Sequence, residues 1–135
     1  MKILLDTHIL IWFHTHDRQL SDKALEMLLD SSNDIYYSSV NVWETQMKYL
    51  KHKEEINFSG EELHEMSTYA GLQCLYLTPK HCIELRSLQY AEDAPHPHND
   101  PFDKLLICQA KSENMFLMTH DSLIPYYHEN CVLEV

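Results

Sequence analysis

The chain has 135 residues, of which 44% are hydrophobic, so its length matches one domain and its apolar content can form a core. The formal net charge of −11 excludes a protein that coats nucleic acid with a basic surface. The sequence predicts no secretion signal, because a single lysine at the N-terminus is soon followed by Asp6, and no apolar run reaches the ~20 residues of a membrane span. The four scattered cysteines predict free, buried thiols in the cytoplasm.

The first part of the chain predicts two strands and three helices. In chain order these are strand 2–5, helix 7–13, helix 22–29, strand 35–38 and a helix from about residue 39 to Lys51. Ser21 is suited to cap the second helix, and Ser39 or Asn41 the third, because short polar side chains accept hydrogen bonds from the free amides of a first turn.

The rest of the chain continues this alternation. The predicted elements are helix 61–69, strand 72–77, helix 79–90, an irregular segment 92–100, a helix from Pro101, strand 115–118, a short helix or turn 121–127 and strand 132–135. Ser59 and Asp100 are the expected N-caps of two of these helices, and Gly71 ends the first. This spacing predicts an α/β fold with a mostly parallel sheet covered on both faces. Because the sequence has no linker or repeat, residues 1–135 are expected to form a single domain.

Four acidic residues occupy the ends or the starts of predicted elements. Asp6 follows the first strand directly, whereas Glu44, Asp103 and Asp121 lie near the starts of helices. Because helix N-termini and the C-terminal ends of parallel strands meet at one edge of a sheet, we expect these carboxylates to converge there. Each acid also has a structural alternative, as a turn residue for Asp6 and as a helix cap or capping-box member for the others.

Convergence of carboxylates has an energetic cost. Two carboxylates ~4 Å apart repel by about 4 kcal/mol at an effective dielectric of about 20. Helix caps do not require such crowding, but a hard cation does, because Mg²⁺ and Mn²⁺ prefer oxygen ligands and keep coordinated waters. Such an ion can polarise a phosphoryl oxygen and deprotonate a water. With two glycines in all, the chain lacks the glycine-rich loops of a P-loop or a dinucleotide site.

Four stretches of the sequence resemble the signature of PIN-domain proteins of the VapC toxin type. They are residues 4–12 (LLDTHILIW), Trp43-Glu44 followed by Lys48, residues 98–110 (HNDPFDKLLICQA) and Thr119-His120-Asp121. The resemblance extends over essentially the whole chain, in the same order, and the Asp-Pro-Phe-Asp segment is its most specific part. It implies a three-layer α/β/α domain with a central, mostly parallel sheet.

The resemblance also implies an activity and partners. Proteins of this type are Mg²⁺- or Mn²⁺-dependent ribonucleases that act as toxins, usually form dimers and are inhibited by a cognate antitoxin. The acids that match the family's site are Asp6, Glu44, Asp103 and Asp121. Asp100 is a fifth acid nearby, expected mainly as the N-cap that positions Asp103, with contact to the metal as the alternative.

Several polar residues near these acids are candidates for contact with the substrate: Asn41, Lys48, His98, Lys104 and His120. Two of them depart from the family pattern, since similar sequences often have Ser or Thr at the position of Asn41 and Arg at that of His120. A neutral His120 would contribute less to phosphate binding than an arginine. Four aromatic residues are expected in the core or at a dimer face: Trp12, Trp43, Tyr36 and Tyr37.

The leading hypothesis is therefore a metal-dependent endoribonuclease toxin, in which a metal-activated water hydrolyses an RNA phosphodiester. Two alternatives remain open, a structure-specific DNA nuclease and a non-catalytic PIN-fold module that acts through its antitoxin complex. A phosphatase with an aspartyl nucleophile is disfavoured, because the acid expected two residues after Asp6 is replaced by His8.

Overall fold

The computed structural model describes residues 1–52 and 54–135, in which five strands form one parallel sheet. The strands are β1 (Lys2–Leu5), β2 (Asp34–Ser38), β3 (Gln73–Leu75), β4 (Phe116–Thr119) and β5 (Val132–Glu134). Their spatial order is β3-β2-β1-β4-β5, and Leu4 of β1 is in register with Tyr36 of β2 and Leu117 of β4. The prediction of an α/β fold with a mostly parallel sheet is confirmed.

Six α-helices connect the strands in the part of the chain that the structure describes. They are α1 (Thr7–Thr15), α2 (Asp22–Leu29), α3 (Ser39–Lys51), α4 (Gly60–Tyr69), α5 (Pro79–Ile83) and α6 (Pro101–Ser112). Two short 3₁₀ helices, Glu84–Ser87 and Ile124–Tyr127, follow α5 and β4. Ser21, Ser59 and Asp100 cap α2, α4 and α6 as predicted, because each side chain accepts hydrogen bonds from amides of the first turn.

The N-cap of α3 lies one residue before the first predicted position. The hydroxyl of Ser38 accepts a hydrogen bond from the Val40 amide at 2.9 Å, and Asn41 Oδ1 accepts one from the Ser38 amide at 2.6 Å. The prediction that Ser39 or Asn41 caps this helix is therefore wrong, and so is a capping box between Asn41 and Glu44. Because Ser38 is also the last residue of β2, the strand passes into the helix without a loop, which keeps the start of α3 at the edge of the sheet.

The central strand β1 is buried on both faces and separates two hydrophobic clusters. Ile3 and Leu5 pack in one cluster with residues of α1, α2 and α4, whereas Leu4 packs in the other with residues of α6. An uninterrupted apolar run is what a parallel strand covered on both faces requires. The sheet therefore has helices on both faces, as a three-layer α/β/α domain does, and Asp6 directly follows its central strand.

The chain after β3 departs from the prediction. The predicted strand 72–77 is confined to the three residues of β3, and the predicted helix 79–90 ends at Ile83. Leu88 has an extended backbone, and both Leu88 and Tyr90 pack against the second hydrophobic cluster. After Ile83 the helical turns continue only as the 3₁₀ helix Glu84–Ser87, and from Leu88 onwards the chain places these two side chains against the core.

The described residues contain no helix that is long and apolar enough to span a membrane. All four cysteines are free, as predicted, and Cys108 is buried. The prediction of burial is wrong for Cys82, which is exposed, and Cys74 and Cys131 are only partly buried. Helix α5 turns its His81 side towards the protein, so the neighbouring cysteine faces solvent.

Candidate metal centre

Asp6 lies where β1 passes into α1, and both of its carboxylate oxygens have partners. Oδ1 accepts a hydrogen bond from the Ile9 amide at 3.0 Å, which makes Asp6 the N-cap of α1. Oδ2 accepts a hydrogen bond from the hydroxyl of Thr119 at the end of β4. Asp6 is 3% exposed. The structural role of Asp6 is thus that of a helix cap, not that of a turn residue as the sequence suggested.

Glu44 projects from the second turn of α3 and is held from two sides. Its Oε1 accepts a hydrogen bond from the Thr7 hydroxyl at 2.7 Å, and its Oε2 forms an ion pair with Lys48 Nζ at 2.6 Å. Asn41 lies behind this contact and donates from Nδ2 to the Thr7 hydroxyl at 3.0 Å. Glu44 is 2% exposed. These bonds tie α3 to the residue that follows Asp6.

Asp103 enters the same region from the first turn of α6. The N-cap Asp100 accepts hydrogen bonds at Oδ1 from the amides of Phe102, at 2.8 Å, and of Asp103, at 3.2 Å. Asp103 Oδ2 lies 3.1 Å from Nε2 of His98, whose Nδ1 lies 2.7 Å from the hydroxyl of Tyr127. Because His98 is 7% exposed and both its nitrogens have partners, it supports Asp103 from inside the protein.

Asp121 follows β4 and completes the cluster. Its amide donates to Thr119 Oγ1 at 3.0 Å, and its Oδ1 accepts from the amides of Leu123, at 2.7 Å, and Ile124, at 3.3 Å. Since Thr119 also donates to Asp6, one hydroxyl links the acids that follow β1 and β4. Among the residues that the structure describes, the second carboxylate oxygen of Asp121 has no hydrogen-bond partner.

The five acids are close enough to repel one another. Burial, followed by the negative charges of Asp100, Asp6, Asp121 and Glu44, raises the pKa of Asp103 to about 8. Burial also raises the pKa of Asp6, although its two hydrogen bonds oppose that shift. The carboxylates therefore converge at the C-terminal edge of the parallel strands, around Asp103.

The donor chemistry of this cluster fits a hard divalent cation. All five side chains offer carboxylate oxygens, and a bound cation would offset the charge that raises the pKa of Asp103. Within residues 1–52 and 54–135, however, no three histidine, cysteine or acidic side chains already form a metal-binding set. Lys48 and His98 each contact one of the acids, so ligation requires these side chains to shift or the acids to bind through water.

Comparison with known proteins decides the family. A family model described as the PIN domain matches residues 3–127. The chain belongs to the PIN domain family. No curated protein gives a significant sequence match to this PIN domain.

Several solved structures are similar to this PIN domain over nearly their whole length. VapBC2 from Rickettsia felis bound to a DNA fragment from its promoter has 20% identity and a TM-score of 0.67, covering 100% of this chain and 98% of that chain. VapBC-1 from nontypeable Haemophilus influenzae has 17% identity and a TM-score of 0.65, covering 99% and 98%. A toxin–antitoxin complex from Klebsiella pneumoniae has 18% identity and a TM-score of 0.60, covering 98% and 99%. At these identities the likeness shows the fold, which is that of VapC toxins.

The candidates for substrate contact occupy different places in the PIN domain. Asn41 and His98 are buried, and their polar atoms contact protein. Lys48 is paired with an acid of the cluster. Lys104 lines a groove beside α5, and the side chain of His120 is exposed. Contact with a substrate stays a prediction for all five.

Three hydroxyl groups position the acids of this PIN domain, and the sequence patterns assigned them no role. Thr7 and Thr119 stand beside acids in the stretches that resemble the family, so a positioning hydroxyl at a strand end could have been identified there. Tyr127 gives no such signal, because it reaches His98 across 29 residues through tertiary packing.

Proposed function

We propose that this PIN-domain protein is the toxin of a type II toxin–antitoxin pair, a divalent-metal-dependent endoribonuclease that hydrolyses RNA phosphodiester bonds. One observation carries the proposal: burial and four neighbouring carboxylates raise the pKa of Asp103 to about 8. A protein that needs only helix caps gains nothing from such crowding, whereas a cation-dependent hydrolase requires it. The PIN fold and its likeness to VapC structures support the same function.

The proposed catalytic centre uses the chain's acids to hold Mg²⁺ or Mn²⁺. The acids assigned to the metal, directly or through water, are Asp6, Glu44, Asp103 and Asp121, and Asp100 is the fifth candidate. The cation would supply a deprotonated water as nucleophile and would polarise the phosphoryl oxygen. Thr119 orients the acids that follow β1 and β4, and His98 orients the acid on α6.

The contacts favour different roles for the substrate candidates. Lys104 and His120 are at least partly exposed and are proposed to meet RNA. Lys48, whose Nζ lies 2.6 Å from an acid of the cluster, is proposed to leave that acid when a cation binds and to contact phosphate. The buried Asn41 and His98 are proposed to position the acids rather than to touch RNA.

The proposed partners are a cognate antitoxin and a second copy of the chain, in the cytoplasm. The toxin–antitoxin complex among the similar structures supports the antitoxin. The net charge of −11 favours a basic antitoxin segment that reaches into the acidic cluster. For the dimer we propose the face around Trp43, which is 67% exposed and lines two adjoining grooves with Tyr76 and Leu77.

Cleavage of a mixed cellular RNA pool tests the proposal. Purified wild-type protein and Asp103→Asn are compared with Mn²⁺, with Mg²⁺ and with a chelator. We expect cleavage by the wild type only with metal, and a loss of at least ~10-fold in the variant, because even residues that merely orient a ligand have effects of that size.

The other outcomes separate the alternatives. Equal cleavage by both proteins would identify a contaminating nuclease. Faster cleavage of single- or double-stranded DNA than of RNA would favour the DNA nuclease. Absence of cleavage by a protein that still binds its antitoxin would favour the non-catalytic module. The ion pair between Lys48 and Glu44 is the observation that favours this alternative, because it occupies an oxygen that a metal would need.

A further inference from the structure

Three aromatic rings form a row beside the acidic cluster. His8 and Trp12 lie one helical turn apart on α1, with ring centroids 5.9 Å apart. Trp12 also meets His120, with centroids 5.5 Å apart and planes at 66°. His8 and His120 are exposed, and Trp12 between them is partly buried. We call these three residues the aromatic rim.

The aromatic rim borders two of the acids directly. His8 is two residues after Asp6, and His120 immediately precedes Asp121. The ring of His120 is held in place because its Nδ1 lies 2.5 Å from the carbonyl oxygen of Val135. The aromatic rim therefore lies next to the ends of β1 and β4, where the proposed metal would sit, and the ring of His120 is held there.

The charges at the site provide little affinity for nucleic acid, and aromatic rings can provide more of it. Protein–nucleic acid affinity usually comes from cations that neutralise phosphates. Here the net charge is −11, and the proposed phosphate contacts of Lys48 and Lys104 supply two positive charges beside five acids. Affinity must come largely from other contacts, and single-stranded nucleic acids are held by stacking of their bases on aromatic side chains.

We infer that the aromatic rim is a binding subsite for an unpaired nucleobase of single-stranded RNA, next to the phosphodiester that reaches the acidic cluster. The inference rests on the proposed ribonuclease function and adds to it the substrate class. A base in a duplex is already stacked on its neighbours and cannot reach the rings, so the subsite selects unpaired segments. Trp12 supports the two exposed imidazoles, and these take the base.

The test compares two RNA chains of equal charge. One is a 12-nucleotide oligouridylate or oligoadenylate, and the other is an abasic RNA backbone of the same length. Both carry a fluorescent label, and dissociation constants are measured by anisotropy with Mg²⁺ in an Asp103→Asn background, which prevents hydrolysis during the titration. We expect the chain with bases to bind about tenfold tighter, a difference of about 1.4 kcal/mol, and we expect that ratio to persist as salt is raised.

The second half of the test uses variants of the aromatic rim. His8→Ala, His120→Ala and Trp12→Leu should each reduce the tenfold ratio towards one. Tyr69→Ala is the matched control, because Tyr69 is 95% exposed at the C-terminal end of α4, far along the chain from the acids, and should keep the ratio. Circular dichroism checks folding, and if Trp12→Leu unfolds, the two exposed histidines still decide the result.

The outcomes also separate this inference from the proposed function. The inference would be overturned if Asp103→Asn with an unchanged rim binds both RNA chains equally. It would also be overturned if all three rim variants keep the ratio of the two dissociation constants, even if metal-dependent RNA cleavage is observed. A ratio that depends on the rim would support it even if wild-type protein cleaves no RNA, in which case the ribonuclease proposal alone fails. Absence of RNA binding by every protein would overturn the inference, while the cleavage assay alone decides the ribonuclease proposal.

Discussion

At the scale of single residues, three acids of the cluster also hold local structure. Asp6 and Asp100 cap helices, and Asp121 holds the turn that follows β4. The same side chains crowd around Asp103 and raise its pKa. Asparagine caps helices about as well as aspartate but carries no charge, so substitution can separate the structural role from the role towards a cation.

For Asp6 this separation gives a prediction. We expect Asp6→Asn to leave the metal-free protein as stable as wild type or more stable, because the amide oxygen keeps the cap while repulsion is removed. The same variant should lose the stabilisation by Mn²⁺ that thermal unfolding measures for wild type. Asp6→Ala is the control, and should lose about 1 kcal/mol because the Ile9 amide is left without its acceptor. Stabilisation of Asp6→Asn by Mn²⁺ equal to that of wild type would contradict the metal role.

The raised pKa of Asp103 predicts how stability changes with pH when no metal is bound. Its pKa is about 8 in the folded protein and 3.8 ordinarily, so the folded state holds this proton more tightly than the unfolded state. The resulting contribution to stability is fully present below pH ~3.8 and is lost as the pH rises to about 8. In urea unfolding with a chelator, we expect a lower free energy of unfolding at pH ~8 than at pH ~5, and a smaller difference in Asp103→Asn.

An exposed acid outside the cluster provides the comparison for this titration. Asp93 lies in the irregular segment before α6, and Asp93→Asn should keep the pH dependence of wild type. If Asp103→Asn also keeps it, the carboxylate of Asp103 is ionised throughout this range, and the crowding that supports the cation site is weaker than its pKa indicates.

At the scale of elements, local signals identified three helix caps but neither the cap of α3 nor the early end of α5. The caps Ser21, Ser59 and Asp100 were predictable because a cap is a contact between residues two or three positions apart. The early end of α5 was not, because it depends on Leu88 and Tyr90 packing against distant parts of the core. The cap Ser38 was missed because it belongs to the preceding strand.

The candidate site likewise has features that the sequence predicts and features that it does not. Convergence of its acids followed from the alternation of strands and helices, since all parallel strands end at one edge. Thr7 and Thr119 were visible beside acids in the sequence, but which acid each hydroxyl holds could not be derived from spacing. The bond from Thr119 to Asp6 joins residues 113 positions apart, and the contact between His98 and Tyr127 depends on how the chain returns after β4.

The 3₁₀ helix after β4 supports the first turn of α6, which gives a prediction for that pair of elements. Tyr127→Phe removes the hydroxyl that lies 2.7 Å from His98 Nδ1, so the imidazole that contacts Asp103 is held less firmly. We expect about a tenfold loss in Mn²⁺ affinity, measured by isothermal calorimetry, because groups that orient ligands have effects of this size. Tyr126→Phe, one residue earlier, should change the affinity little. Equal affinities for wild type and Tyr127→Phe would show that this support is unnecessary.

At the scale of the whole molecule, the acidic edge and the apolar face around Trp43 are separate surfaces. Glu44 points into the protein while its neighbour Trp43 is 67% exposed, so α3 contributes a residue to each surface. We expect wild type to sediment as a dimer and Trp43→Glu as a monomer, because the charge would be buried against the second copy. Tyr69→Glu, at a ring that is 95% exposed, should leave the dimer intact. A dimeric Trp43→Glu protein would place the interface elsewhere.

If the chain is the proposed toxin, the hydrogen bond from Thr119 to Asp6 also sets the moment at which its site can first form during synthesis. A nascent chain that already contains Asp6, Glu44 and Asp103 still lacks β4, which pairs with β1 and carries the hydroxyl that holds Asp6. Pairing of strands so distant in sequence waits until the later strand has been synthesised. For the proposed toxin, the ribosome thus carries an incomplete nuclease through most of its synthesis, and premature termination before β4 yields a product without the site.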